Sequence, residues 1–129
     1  MATTPCRILC VDDHADTSEM LKLLLSNGEI EVITARSMEE ALELVHTESF
    51  DLYVLDKRLP DGSGIDLCRK LTSRTPNVPC LFYTGDAYEV HRQQALAAGA
   101  NDFVAKPDID RLIESVQKFL TERECATSA

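Results

Sequence analysis

The feature that most constrains this chain is an alternation that runs its whole length. Five short apolar runs, "RILCV" (7–11), "IEVITA" (30–35), "DLYVLD" (51–56), "PCLFYT" (79–84) and "DFVA" (102–105), are each followed by a stretch with helical spacing. The first, third and fourth runs are apolar almost throughout, which predicts strands covered on both faces. Regular β-α alternation with short loops implies parallel strands joined by right-handed crossovers. The expected fold class is α/β: a doubly wound, five-stranded parallel sheet of the (βα)5 type.

The helical stretches carry their own start and stop signals. "EMLKLLL" (19–25) follows Asp16-x-x-Glu19, a candidate capping box, and Asn27-Gly28 ends it. Ser37-x-x-Glu40 caps a second helix whose Met38, Ala41, Leu42 and Val45 share a face. After a Pro-Asp-Gly turn, Ile65, Cys68 and Leu71 mark the third. "VHRQQALAA" (90–98) lies in the fourth, stopped by Gly99. Asp108 caps the last, whose apolar stripe is Ile109, Leu112, Ile113, Val116 and Leu120.

At 129 residues, with no linker or internal repeat, the chain reads as one domain over 1–129, with its core at about 7–122. Residues 123–129 are expected to be a fraying tail. A content of 44% hydrophobic and 27% charged residues is that of an ordinary globular protein. No apolar run approaches the ~20 residues that cross a bilayer, and "MATTPCR" lacks the pattern of a signal peptide. No membrane association is expected, and the location is expected to be cytoplasmic. The five scattered cysteines show no zinc spacing; they read as reduced thiols, with Cys10, Cys68 and Cys80 acting as small core hydrophobes. A net charge of −9 argues against binding to a nucleic-acid backbone.

In a parallel α/β sheet, ligands bind beyond the carboxyl ends of the strands. The first strand ends on Asp12 and Asp13, the third on Asp56, the fourth on Thr84 and the fifth on Lys106. Crowded carboxylates favour either protonation or a hard divalent cation, and magnesium, an oxygen-seeking ion that keeps several waters, suits them. Lys106 can pair first with a carboxylate and then with phosphate. Thr84 can donate one hydroxyl hydrogen bond, and a carboxylate can hold a phosphoryl group covalently. These parts assemble a phosphoryl acceptor on aspartate. His14 reads as an exposed loop residue, because magnesium prefers oxygen; His46 and His91 carry no signal.

The quoted stretches resemble the receiver domain of two-component response regulators. "VDDH" (11–14) is similar to that family's acid pair, "LDKRLPDG" (55–62) to its phosphoacceptor turn, "YTGDA" (83–87) to its switch threonine and "DFVAKP" (102–107) to its switch aromatic and Lys-Pro. The resemblance covers about Arg7 to Glu122. It implies that Asp56 is phosphorylated and that Asp12, Asp13, Asp56 and the Arg58 main-chain carbonyl hold Mg2+. It further implies that Thr84 and Lys106 contact the phosphoryl group, that Phe103 is the switch aromatic, and that Lys106–Pro107 is cis. The flavodoxin-like strand order 2-1-3-4-5 is implied in the same way. Two departures stand out: Lys57 and Arg58 make the segment after the acceptor basic, and Gly85 keeps a small residue beside Thr84.

The implied function is a self-phosphorylating and autodephosphorylating switch, not a metabolic enzyme. Its phosphodonor is expected to be a histidine kinase or histidine phosphotransfer protein, and its target a downstream protein. The alternative is a phosphate-independent interaction module on the same fold. An aspartate-nucleophile phosphatase fits less well, because Lys57-Arg58 stands where a D-x-D arrangement is needed. No output domain follows, so the chain is expected to be a free-standing or an excised receiver. Adjacent strand ends also set Arg58 within reach of Asp86, a pair expected to shield the phosphoryl group from water.

Overall fold

The computed structural model describes residues 5–85 and 88–123. Five strands, β1 (Cys6–Val11), β2 (Ile30–Ala35), β3 (Leu52–Leu55), β4 (Cys80–Thr84) and β5 (Asp102–Ala105), alternate with five helices. These are α1 (Ala15–Leu25), α2 (Met38–Thr47), α3 (Gly64–Arg74), α4 (Glu89–Ala97) and α5 (Ile109–Glu122). All five strands pair in parallel in the order β2-β1-β3-β4-β5, the expected doubly wound arrangement.

Two apolar layers sandwich the sheet. On one face Leu9, Val11, Tyr53, Leu55 and Phe82 pack against Ala41 of α2, Leu67, Cys68 and Leu71 of α3 and Ala95 of α4. On the other, Ile8, Cys10, Leu52, Val54 and Leu81 meet Leu21 and Leu25 of α1 and Leu112, Val116 and Leu120 of α5. Residue parity along each strand decides which layer a side chain joins, since successive side chains point to opposite faces. The stripe predicted for the last helix splits accordingly. Leu112, Val116 and Leu120 are fully buried, while Ile109 and Ile113 pack at its margin.

Most predicted caps form. Ser37 accepts from Glu40 N–H at 3.1 Å and Asp108 from Arg111 N–H at 3.2 Å. Gly99 ends the turn after α4 with φ +114, a left-handed geometry; a Cβ there would also lie 2.7 Å from Thr72 Oγ1. The expected Asp16-x-x-Glu19 box does not cap α1, which begins at Ala15 with His14 in the capping position. Asp12 anchors that end instead. Its carboxylate accepts the His14 N–H at 2.8 Å and its carbonyl accepts the Ser18 hydroxyl at 3.4 Å, so the strand runs almost directly into the helix.

A short antiparallel ribbon, Arg58–Leu59 with Gly62–Ser63, follows β3. Sequence patterning did not predict it, because two-residue strands carry no periodicity. Cys10, Cys68 and Cys80 are buried free thiols, as expected. Cys6 departs from the expectation of reduced cysteines: it is disulfide-bonded. It opens β1 and, like the three free thiols, is buried in the core; its own layer is the one covered by α1 and α5.

Asp102 ties the edge strand to α5. It accepts from Ser115 Oγ at 2.7 Å and Phe103 N–H at 2.8 Å, and Arg111 approaches within 3.2 Å. Burial alone would raise its pKa, but these donors and the charges of Arg111 and Lys118 outweigh that and lower it. A carboxylate held below its ordinary 3.8 stabilises the fold above that pH and loses the contribution as pH falls through the lowered value. Asp102→Asn is therefore expected to be less stable at pH 7, by on the order of 1–2 kcal/mol. Denaturant titrations should show the gap closing as the pH drops below the ordinary value. A gap that persists in acid would mean that packing, not charge, sets the cost.

Candidate phosphoacceptor and metal site

The sheet register brings the predicted residues together. Val11 stands opposite both Ala35 and Leu55, and Thr84 opposite Ala105. The ladder then continues one residue past the strands. Asp12 N–H donates to Ala35 O at 3.0 Å, Asp56 N–H to Val11 O at 2.9 Å and Lys106 N–H to Thr84 O at 2.9 Å. Asp12, Asp56 and Lys106 are thus fixed by backbone hydrogen bonds at the carboxyl edge, on either side of the point where strand order reverses.

Lys106 joins the two acids. Its Nζ lies 2.8 Å from Asp12 Oδ2 and 3.3 Å from Asp56 Oδ2, and 5.8 Å from the centre of the Tyr83 ring. Burial pulls the lysine pKa down, but the two carboxylates outweigh it and the net shift is upward, so the amine stays charged. Asp12 and Asp56 are 3% and 5% exposed, and the Asp13 side chain 41%. The acid pair is therefore unequal: one member is structural and buried, the other faces water.

Asp12, Asp13, His14 and Asp56 each present a ligand atom, all within 4.8 Å of one another. Three carboxylates against one ammonium leave excess negative charge, and hard oxygen donors of this kind fit Mg2+. Burial pushes the Cys10 thiol up to about 12, so no thiolate competes nearby. The residues present therefore suit a magnesium ion. His14 is the surprise. Its ring is 66% exposed, as read from the sequence, but Nδ1 turns inward, 2.9 Å from Asp12 Oδ1 and 3.3 Å from Asp13 Oδ1.

A cleft of about 910 Å³ opens over these groups, lined among others by His14, Asp56, Arg58, Thr84, Gly85 and Lys106. Thr84 is buried at the end of β4. Phe103 is half-buried and stacks on Phe82, ring centres 6.0 Å apart, two residue pairs back along the strands from Thr84 and Ala105. Lys106–Pro107 is cis, as implied. Arg58 stands in the ribbon at the cleft mouth; Asp86, its expected partner, lies outside the described residues.

Gly64 is the site residue that sequence reading missed. A Cβ there would lie 1.9 Å from the Asp56 carbonyl oxygen, and its N–H donates to Lys57 O at 2.7 Å. The loop after Asp56 folds back so tightly that only glycine fits, and the second glycine of "PDGSG" was the available signal. Asp61 holds the same loop from outside by accepting the Met38 and Glu39 amides at 2.8 and 2.9 Å, which lowers its pKa.

Two outcomes follow from this geometry. Gly64→Ala should cost on the order of 3 kcal/mol or more, because backbone must move to admit the methyl group. Gly85→Ala, whose Cβ would meet nothing within 4 Å, should stay within roughly 0.5 kcal/mol of the parent. Urea titrations that rank the two equally would refute the close packing. Lys106→Met leaves Asp12 and Asp56 facing each other without a cation, an expected loss on the order of 2 kcal/mol. Magnesium should then raise the melting temperature of Lys106→Met more than that of the parent, since no ammonium competes for the acids. Equal shifts would separate the lysine from the metal site.

Comparison with known proteins agrees with the geometry. Residues 8–117 match the family described as the response regulator receiver domain. The chain is 42% identical over 118 residues to the response regulator protein PilR of Pseudomonas aeruginosa, covering 91% of this chain and 26% of PilR. Among solved structures it is similar to a two-component response regulator from Clostridium difficile (TM-score 0.85, 29% identity, 90% of this chain and 96% of that one). It is also similar to the non-phosphorylated HemR receiver domain from Leptospira biflexa (TM-score 0.82, 34% identity, 91% and 94% covered). The chain spans from about a quarter to about half the length of the curated relatives it matches. An edge of buried carboxylates bridged by a strand-end lysine, on this sheet order and with this family match, has one reading: the chain belongs to the response regulator receiver domains, the phosphoacceptor switches of two-component signalling.

Proposed function

We propose that Asp56 is the phosphoryl acceptor, that Asp12, Asp13, Asp56 and the Arg58 main-chain carbonyl hold Mg2+, and that Thr84 and Lys106 contact the phosphoryl oxygens. One observation carries this reading: Asp56 sits buried at the floor of an open cleft, with a charged amine already 3.3 Å from its carboxylate. An Asp56 oxygen attacks phosphorus as the P–N bond of a donor phosphohistidine breaks, and the leaving imidazole takes up a proton. Lys106 then exchanges one carboxylate partner for a phosphoryl oxygen. Asp12, Asp13, Asp56 and the Arg58 main-chain carbonyl would hold Mg2+, which would supply charge neutralisation to the transferring phosphoryl group.

The switch follows from the same edge. A phosphoryl group on Asp56 gives the Thr84 hydroxyl a new acceptor, and Phe103, on the adjacent strand and packed on Phe82, responds to movement of that strand end. Tyr88, Val90 and Leu96 of the neighbouring α4 region are exposed, a surface suited to a downstream protein target. The donor is a histidine kinase or histidine phosphotransfer protein, supported by family membership. Residues 7–122 act as one domain, in keeping with the family match over 8–117. No helix among the described residues is long and apolar enough to cross a membrane. The proposed compartment is the cytoplasm, where phosphohistidine donors are made from ATP.

With Mg2+ and acetyl phosphate, intact-mass spectrometry should show one added phosphoryl group, labile to base and to hydroxylamine as an acyl phosphate is. Asp56→Asn should abolish it, because an amide is a poor nucleophile. Undiminished labelling of that variant would place the acceptor elsewhere.

A further inference from the structure

His14 occupies a position that its place in the fold does not require. It is the residue before α1, where a polar side chain ordinarily caps the helix, yet it makes no side-chain capping bond. Its ring instead turns over the acids. Nδ1 lies 2.9 Å from Asp12 Oδ1, 3.3 Å from Asp13 Oδ1 and 3.8 Å from Asp56 Oδ2. One nitrogen thus faces all three carboxylates of the metal group. Among the described residues this is the one group of three or more side chains gathered as a metal site.

We propose that the His14 imidazole is a fourth protein ligand that tilts this site toward borderline divalent cations such as Co2+ and Ni2+. The proposal rests on the acids' metal role and deepens it. Oxygen donors alone serve Mg2+, which gains little from nitrogen, whereas Co2+ and Ni2+ bind imidazole well and stand higher in the affinity order for mixed N and O sites. In this structure Nδ1 is within hydrogen-bond distance of Asp12 Oδ1, so ligation exchanges that hydrogen bond for the metal and leaves the ring proton on Nε2. Two-thirds exposure also lets the ring withdraw without disturbing the core. The ligand is therefore optional: a magnesium-loaded site keeps its oxygen set, and a transition ion recruits the imidazole.

Calorimetric titration at one fixed pH of the parent, His14→Ala, His14→Phe and Asp13→Ala with Mg2+ and with Co2+ tests this. The Co2+ absorption band and paramagnetic shifts of the imidazole protons serve as a second readout. The parent should prefer Co2+ to Mg2+, and both His14 variants should lose about tenfold or more in Co2+ affinity while Mg2+ affinity changes little. Only the parent should show shifted imidazole signals of a bound ring. Loss of both metals in Asp13→Ala with no change in either His14 variant overturns the imidazole ligand and leaves the acid site standing. Failure of the parent to bind either metal overturns both. Tighter binding of both metals by His14→Ala would make the ring a competitor for the site, not a ligand, and would also overturn the proposal.

Discussion

The structure turns on a single ammonium held between two buried carboxylates. Asp12 and Asp56 end neighbouring strands, and unpaired charges at that depth would be expensive. Lys106, from a third strand, reaches across β4 to meet both. The bridge does not complete the neutralisation. It leaves Asp13 exposed and Asp56 lining a cleft, an excess of negative charge that a divalent cation can offset while a phosphoryl group binds. A site satisfied by its own residues would have no reason to bind either.

Around that bridge the chain has its tightest geometry in the loop after Asp56. Gly64 lets the loop fold against the Asp56 carbonyl, and Asp61 carries the loop's other side to the amides that open α2. The loop is thereby clamped between two helix N-termini, which fixes the Asp56 backbone and leaves its carboxylate at the cleft. The opposite edge of the sheet is closed differently. There Arg7 pairs with Glu31 and Glu48 and stacks over Phe50, a static cluster with no open cleft among its described contacts. Chemistry and anchorage thus lie at opposite ends of the strands, as parallel topology encourages.

Much of the candidate site was legible in the chain because four of its residues stand at the ends of apolar runs. Asp12, Asp56, Thr84 and Lys106 all end such runs, and parallel strands necessarily bring those ends to one edge. The Ser37 and Asp108 caps were legible for the same local reason. The start of α1 was not. Asp16 and Glu19 form a good local cap, but Asp12 outcompeted them because it was already held in place by the sheet ladder. Gly64 was passed over because a steric need is visible only once the facing carbonyl is in position.

The division has a plain physical basis. Sequence by itself determined the five core strands and five helices, their order, their buried faces and the chemistry placed at each strand end. Those depend on periodicity and on neighbours a few residues away. Tertiary structure alone decided that Asp12 is buried while Asp13 is exposed, that Lys106 chooses Asp12 across 94 positions of chain, and that the His14 ring faces the acids. These outcomes depend on distances of a few ångströms between side chains on different elements, which come into being only when the sheet has formed.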